Sequence, residues 1–212
     1  MAGTKSKSLY SVHPSVAMVQ KWIADLEAKT GRAFADWLTF VRAEGPGDEK
    51  AAAAWLKEKH GLGTFVAKWL AERAHQKETG LADESPERYL ERAPTYVDRQ
   101  FQGKKAALRP IFDTLLAKAL KLGKDAKACP CETIVPLYRE HVFAQLKATT
   151  NTRFDLGLAL KAYEGKLPAR LVDTGGLAKK DRITHRIELT SPDEIDAFVD
   201  RWLKIAYDLD AP

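Results

Sequence analysis

The sequence predicts an α+β protein, with a small all-helical N-terminal domain followed by an antiparallel sheet flanked by N- and C-terminal helices. Apolar residues recur at helical spacing through the first eighty residues, where no alternating β-branched run occurs. Four strand-like segments follow between residues 133 and 189, with one helical stripe before them and one after them. Helices and strands that are segregated in this way are typical of α+β folds.

The N-terminal domain is predicted over residues 11–80 as four short helices. Glycines and a capping aspartate mark their ends, which places the helices near residues 14–31, 34–45, 48–61 and 64–80. Four of the five tryptophans lie on or beside the apolar stripes of these helices. Large aromatic side chains help a small domain to build a core, and we expect the tryptophans to do so here rather than to form a surface platform for bases.

The polar segment 81–95 contains two prolines and no long apolar stripe, so it is predicted to link the two domains. The second domain is predicted over residues 96–210 and opens with a helix over 105–122. Strands are expected over 133–138, 141–147, 153–160 and 183–189. The last helix is predicted to start at Ser191-Pro192, because a capping residue, a proline and Glu194 follow the order of a helix N-terminus.

Composition places the chain among globular proteins without a membrane span. Of its 212 residues, 45% are hydrophobic. No apolar stretch approaches the ~20 residues that a transmembrane helix needs, and the first ten residues lack the apolar centre of a secretory signal. Two cysteines are too few for a disulfide framework. We therefore expect a soluble, cytoplasmic protein, and the sequence indicates no cofactor and no metal.

The charge of the chain is distributed unevenly. The formal net charge is +5, but residues 96–190 contain 18 basic and 10 acidic residues and the segment 191–212 has a net charge of −4. A basic excess of this kind favours an anionic partner. A solvated surface is the alternative interpretation.

The segment His60-Gly61-Leu62-Gly63-Thr64 joins two predicted helices through a turn with a glycine on each side of one apolar residue. It resembles the hairpin of helix-hairpin-helix DNA-binding domains. The resemblance implies that the backbone N–H groups of Gly61, Gly63 and Thr64 face a phosphate, with Lys68 adding positive charge one turn later. An ordinary turn between two helices, with glycines at positive φ, is the alternative.

A second group of cations lies on the predicted strands of the C-terminal domain and in the loop before the last strand. If the sheet brings them onto one face, they form an anion-binding site. These candidates are Lys147, Arg153, Arg170, Lys179, Lys180, Arg182 and Arg186. Basic residues that solvate a sheet edge or discourage strand pairing are the alternative.

Cys129-Pro-Cys131 is the candidate for thiol chemistry, and His141 or His185 could complete a redox or ligand site with it. The single residue between the cysteines is shorter than the usual redox spacing, and a cytoplasmic location favours free thiols. No histidine pair has metal-ligand spacing, and no phosphate loop, dinucleotide fingerprint or serine-hydrolase motif occurs. The sequence therefore assigns no catalytic residue.

The motifs of both domains resemble those of bacterial two-domain proteins of unknown function. In the N-terminal domain the resemblance rests on Ser11-Val-His-Pro14, Trp37-Leu38, His60-Gly-Leu-Gly63 and Ala67-Lys-Trp69. In the C-terminal domain it rests on Gly103-Lys-Lys105, Cys129-Pro-Cys131, Tyr138-Arg139, His141-Val-Phe-Ala-Gln145, Asn151-Thr-Arg153 and Lys179-Lys-Asp-Arg-Ile-Thr-His185. The resemblance implies a short helical domain joined to an α+β domain of the predicted transport protein type, and it supplies no catalytic residues.

These observations favour a non-catalytic binding module for a small anionic ligand or nucleic acid. A thiol-dependent redox enzyme that uses Cys129 and Cys131 is one alternative. A protein with a small-molecule pocket between the sheet and its helices is another. The sequence indicates no membrane partner and names no protein partner.

Overall fold

A computed structural model describes residues 8–75 and 85–211 of the chain. The described residues fall into two compact units, one within Val12–Tyr89 and the other within Met1–Ser11 and Leu90–Pro212. The division lies inside the predicted linker 81–95, while the predicted domain bounds themselves stay a prediction. In the part of the chain that is described, no helix is both long enough and apolar enough to cross a bilayer.

Four of the described helices lie wholly within the first unit. They are α1 (Pro14–Thr30), α2 (Phe34–Glu44), α3 (Glu49–His60) and α4 (Thr64–His75). Gly31 ends α1 and Gly61 ends α3, both with a left-handed backbone at φ near +68° and +66° that favours glycine. Asp48 caps α3 by accepting a hydrogen bond from the Ala51 N–H at 2.8 Å. The end of the fourth predicted helix, beyond residue 75, lies outside the described residues.

The core of this unit consists of aliphatic and aromatic side chains from all four helices. Leu56 and Leu70 are fully buried, and Trp37 and Trp69 are nearly so. The ring of Phe34 stacks on Trp69 with centroids 4.8 Å apart. Two further tryptophans pack against the core while partly exposed, and these are Trp22 and Trp55. The tryptophans therefore contribute packing in this unit, as their position on the apolar stripes predicts.

Helix α5 (Pro86–Gln100) was not predicted, and residues 86–95 of the predicted linker are helical. Ser85 caps it, since its hydroxyl accepts a hydrogen bond from the Arg88 N–H at 3.2 Å. Ala93 and Val97 are fully buried and lie four residues apart on one helical face. The pattern of Ser85 followed by proline at the first helical position was the available signal.

The C-terminal unit is a six-stranded antiparallel sheet with helices on its apolar face. After a 3₁₀ helix (Gly103–Leu108) come α6 (Arg109–Leu120), β1 (Lys127–Ala128), β2 (Val135–Tyr138), β3 (Val142–Ala148), β4 (Phe154–Leu158), β5 (Val172–Asp173), β6 (His185–Leu189) and α7 (Ala197–Leu209). The strand order is β1-β2-β3-β4-β6-β5. This architecture confirms the predicted α+β class.

The apolar face of the sheet is built by alternate residues of the central strands. Leu146 pairs with Leu156, and Leu156 pairs with Ile187, in one row of buried side chains. Helices α6 and α7 contact this part of the sheet and each other. The ring of Tyr207 on α7 meets Phe143 edge-on with centroids 5.4 Å apart. Because side chains alternate along a strand, the residues between these apolar ones lie on the opposite face.

The predicted start of the last helix is wrong by several residues. Ser191 and Glu194 do form a capping box, but it closes a 3₁₀ turn over Pro192–Glu194. The backbone of Ile195, at ψ near 73°, leaves the helical region. Helix α7 then begins after Asp196, whose carboxylate accepts a hydrogen bond from the Val199 N–H at 3.1 Å. The capping signal was correct, but it belonged to a separate turn.

Candidate anion-binding site

Two rows of polar residues cross the face of the sheet opposite α6 and α7. The rows are Lys147–Asp155–Glu188 and Gln145–Gly157–Arg186, each from β3, β4 and β6 in that order. Directly opposed residues in an antiparallel sheet have Cβ atoms about 5 Å apart, so the side chains of each row are neighbours. Because side chains alternate along β3, Gln145 and Lys147 lie on the same side of the sheet. We call the surface formed by these two rows the polar face.

The loop between β5 and β6 (residues 174–184) packs against this face at Gly157, and Gly176 allows the loop to fold closely on itself. A Cβ atom on Gly157 would lie 2.7 Å from Cγ2 of Ile183, and one on Gly176 would lie 2.2 Å from the Ile183 carbonyl oxygen. The hydroxyl of Thr174 donates a hydrogen bond to the same carbonyl at 2.8 Å. The loop is therefore fixed against β4 at its C-terminal end.

A cavity of about 180 Å³ lies between the loop and the polar face. Its charged lining consists of Lys147, Asp155, Lys179, Asp181 and Arg186. Gln145, Gly157, Thr174, Gly176 and Ile183 complete the lining. The structure thus brings Lys147, Lys179 and Arg186 together, as an anion site on one face of the sheet requires.

The two carboxylates of the polar face are held by arginines. Asp155 is 9% exposed, and its Oδ1 lies 3.0 Å from Nε of Arg153. This contact is an ion pair but not a hydrogen bond, because neither Nε of Arg153 nor Oδ1 of Asp155 has a hydrogen-bond partner. Arg186 pairs with Glu188 at 2.8 Å, and the Thr149 hydroxyl donates to Asp155 at 2.7 Å. Arg153 therefore reaches the site through Asp155 and does not line the cavity itself.

The two lysines of the cavity have no such partner. Among residues 8–75 and 85–211, neither the ammonium of Lys147 nor that of Lys179 has an ion pair or a side-chain hydrogen bond. Asp181 is the remaining carboxylate, and its Oδ1 accepts a hydrogen bond from the Ile183 N–H at 3.1 Å. The cavity and its ion-pair network therefore contain one more cation than carboxylates. The cations are Lys147, Arg153, Lys179 and Arg186, and the carboxylates are Asp155, Asp181 and Glu188. The two cations without an ion pair are the lysines.

The remaining cations predicted for this site lie elsewhere in the C-terminal unit. Lys180 follows Lys179 but has a left-handed backbone at φ 57°, and it lines a second cavity of about 650 Å³. Arg182 lines the same second cavity and pairs with the buried carboxylate of Asp210 at 2.8 Å. Arg170 pairs with Asp196 at 2.6 Å. None of these three residues lines the polar-face cavity.

The glycine hairpin lies in the other unit. Gly61 ends α3, and the Leu62 N–H donates to the Leu56 carbonyl at 3.3 Å. Gly63 precedes the first residue of α4, and its carbonyl accepts a hydrogen bond from the Ala67 N–H at 2.9 Å. Thr64 and Lys68 line a groove along α3 and α4. The hairpin residues and the polar-face cations are thus two separate groups, one in each unit.

The proposed thiol residues do not meet in one site. Cys129 and Cys131 form no disulfide, and the pKa of Cys129 is raised to about 12, first by burial and then by the neighbouring Cys131. His185 on β6 and Ala128 on β1, the residue before Cys129, are separated by strands β2, β3 and β4. Four strand spacings amount to about 19 Å across the sheet. His141 lies in the turn after Tyr138, the last residue of β2. The N–H groups of Cys129 and Cys131 donate hydrogen bonds to the carbonyls of Pro136 and Ile134, which precede Tyr138 by about 7 and 13 Å along the strand. Within the described ranges, no three metal-ligating side chains form a cluster.

The fold and the site define a two-domain chain, in which a four-helix unit precedes an α+β domain with a cationic cavity on its sheet. Residues 97–210 match a family described as a domain of unknown function, DUF5655, and residues 18–76 match a second domain of unknown function, DUF4287. Since the first match covers more than half of the 212 residues, the chain belongs to the DUF5655 family. No curated protein and no solved structure matches the chain significantly.

The uncharged residues of the cavity were not among the predicted site residues. Gln145 and Gly157 were detectable in principle, because strand alternation places Gln145 beside Lys147 and register places Gly157 opposite Gln145. Thr174 and Gly176 follow the two-residue strand β5, which has no pattern of its own. Their place in the site follows from the folding of the loop against Gly157, a contact that only the structure shows.

Proposed function

We propose that the C-terminal domain binds a small anion, such as a phosphate or carboxylate group, in the polar-face cavity. The observation that supports this most directly is the pair of lysines, Lys147 and Lys179, which face one cavity and form no ion pair among the described residues. An ammonium in a concave site attracts and hydrogen-bonds an anion more strongly than one on a flat surface. Gln145 and Arg186 supply further N–H donors to the same space.

The volume of the cavity indicates that only a small chemical group of a ligand can enter it. Pockets for drug-sized molecules have volumes of about 300–1,000 Å³, and the polar-face cavity has about 180 Å³. It therefore suits one anionic group rather than a whole nucleotide. The larger part of a ligand would remain outside the cavity, over the polar face.

The geometry favours binding over catalysis. Asp155 and Glu188 are engaged by Arg153 and Arg186, so these carboxylates are poor candidates for a general base. The thiol-dependent alternative has less support, because a thiol with a pKa of about 12 is protonated at neutral pH. The residues that favour nucleic-acid binding, at the glycine hairpin, belong to the other unit.

The proposal is tested by titrating the full chain with inorganic phosphate while recording ¹H–¹⁵N spectra. We expect amide shifts in β3, β4 and the loop over 174–184. Lys147→Met and Lys179→Met should each weaken binding about 10- to 100-fold, because a hydrogen bond to a charged group is worth about 1.5–3 kcal/mol. Asp181→Asn should strengthen it, since the variant removes a like charge from the cavity.

Lys121→Met is the matched control, because Lys121 is exposed at the end of α6 and does not line the cavity. It should leave phosphate binding unchanged. The proposal is wrong if millimolar phosphate shifts no amide of the polar face. It is also wrong if the control weakens binding as much as the two cavity variants do.

We also infer a cytoplasmic location, because two cysteines outside any disulfide are typical of a reducing compartment. The bacterial origin and the predicted transport protein type, both implied by resemblance, stay predictions. An anion site on a domain without a membrane-spanning helix among its described residues would fit an accessory binding role in such a system.

A further inference from the structure

The N-terminal unit contains a groove of about 420 Å³ along α3 and α4. One wall is a helical face of α3 with Lys50, Ala54 and Lys57, which are spaced by four and three residues. Thr64 and Lys68, also four residues apart, form the wall from α4. The groove lies entirely within one unit and shares no residue with the polar-face cavity.

The lining of this groove is strongly basic. Lys50, Lys57 and Lys68 face a single carboxylate, Glu49. In the described part of the chain, none of the three ammonium groups has an ion pair or a side-chain hydrogen bond. The small side chain of Ala54 leaves space between the lysines. The charge of the groove is therefore complementary to a polyanion with several charged groups at regular intervals.

An exposed aromatic ring lies beside the lysines. Phe65 is 79% exposed, more than the other large hydrophobic residues that are exposed in the described chain. It follows Thr64 and precedes Lys68 by three residues, so it is a surface neighbour of Lys68 on α4. Val66 and Trp69 of the same helix pack into the core. The ring of Phe65 is thus presented to solvent next to the groove.

We propose that the groove between α3 and α4 binds single-stranded nucleic acid, with the lysines contacting phosphates and Phe65 stacking on a base. A groove that follows the backbone with cations, combined with an exposed aromatic ring, is the usual arrangement for binding single strands without sequence preference. An acidic peptide would also meet the lysines, but it offers no flat apolar surface to the ring of Phe65. Duplex DNA keeps its bases stacked and likewise leaves the ring unused.

The test measures fluorescence anisotropy of a labelled twelve-nucleotide oligo-dT with the full chain at about 50 and 200 mM salt. Three phosphate contacts on a single strand predict a log–log salt slope of about −2, which is roughly a 20-fold loss of affinity between the two salt concentrations. Phe65→Ala should weaken binding about 5- to 100-fold at both salts, because stacking on one base is lost. Lys57→Gln with Lys68→Gln should weaken binding and flatten the slope to about −0.7.

Two control variants keep the interpretation specific. Lys59→Gln removes a charge from α3 at an exposed position outside the groove and should change little. Phe65→Trp retains an aromatic ring and should retain binding. Circular dichroism of each variant should match that of the wild type, because all four substituted residues are exposed or line the groove at the surface.

Three results would overturn the proposal. The first is no binding at about 100 µM protein in 50 mM salt. The second is an unchanged affinity for Phe65→Ala, which would indicate attraction to any polyanion. The third is binding of poly-glutamate as tight as that of oligo-dT, which would assign the groove to acidic peptides. Lys147→Met and Lys179→Met should leave oligo-dT binding intact, so this test and the phosphate titration fail or succeed independently.

Discussion

Gly157→Ala should destabilise the C-terminal domain by forcing the loop over residues 174–184 away from the sheet. The added methyl group would lie 2.7 Å from Cγ2 of Ile183 and 3.4 Å from Cβ of Gln145. Because isoleucine is branched at Cβ and stiff about χ1, its methyl group cannot turn aside freely. Overpacking of this kind costs about 1–3 kcal/mol. The same displacement opens the cavity, so affinity for phosphate should also fall.

A double-mutant cycle with Ile183→Ala separates the clash from other causes. Ile183→Ala alone should cost about 2–4 kcal/mol, since it removes most of a side chain that is only 9% exposed. In the double variant the methyl group of residue 157 no longer meets Cγ2. The combined cost should therefore be smaller than the sum of the two single costs by about 1 kcal/mol or more.

Urea denaturation followed through ¹H–¹⁵N amide signals of β4 and β6 measures these costs. Tryptophan fluorescence is unsuitable, because four of the five tryptophans lie in the N-terminal unit and Trp202 alone lies in the C-terminal unit. The reasoning fails if Gly157→Ala changes the free energy of unfolding by less than about 0.5 kcal/mol. It fails equally if the two single costs add within the usual tolerance of about 0.3–0.5 kcal/mol.

Two further predictions concern titratable groups. At pH 8, iodoacetamide should label Cys129→Ser rapidly and Cys131→Ser slowly, because burial raises the pKa of Cys129 to about 12; equal labelling rates by mass spectrometry would contradict this. The pKa of Asp125 is lowered from 3.8 to about 2, first by the Tyr207 hydroxyl and then by Arg139, which both donate to its carboxylate. Because its pKa is lower in the folded protein, the Asp125 carboxylate stabilises the fold fully above pH ~4, and this contribution is lost as the pH falls towards 2. The melting temperature of Asp125→Asn should therefore differ from that of wild type at pH 6 and approach it near pH 2. A difference that does not shrink on acidification would refute the second prediction.

Elements with a local signal could be predicted from the sequence. Gly31 and Asp48 fix helix ends through backbone conformation and capping, and the structure shows both. Strands β1 and β5 have two residues each, and they are defined by their pairing with β2 and β6 rather than by any pattern of their own. No local rule could have found them. Helix α5 differs, because its Ser85 cap was visible but the surrounding polar residues and Pro94 favoured a linker.

The candidate site was predictable in its strand residues and unpredictable in its loop residues. Alternation along β3 and β4 places Lys147 and Asp155 on one face once their register is known. Lys179 and Lys180 are adjacent in sequence yet line different cavities, and Lys180 has a left-handed backbone that its sequence does not signal. A count of charges along the sequence cannot distinguish two such residues.

The cavity keeps an excess of positive charge because its arginines are paired with carboxylates and its lysines are not. Arg153, Arg186 and Arg182 lie against carboxylates, as suits a planar guanidinium that can bridge two acidic groups at once. Lys147 and Lys179 are point charges on flexible stems, and the ion-pair network on the sheet is already closed without them. We therefore place the proposed anion site where β3 and the β5–β6 loop bring the unpaired Lys147 and Lys179 to the same cavity, and not along the paired arginines.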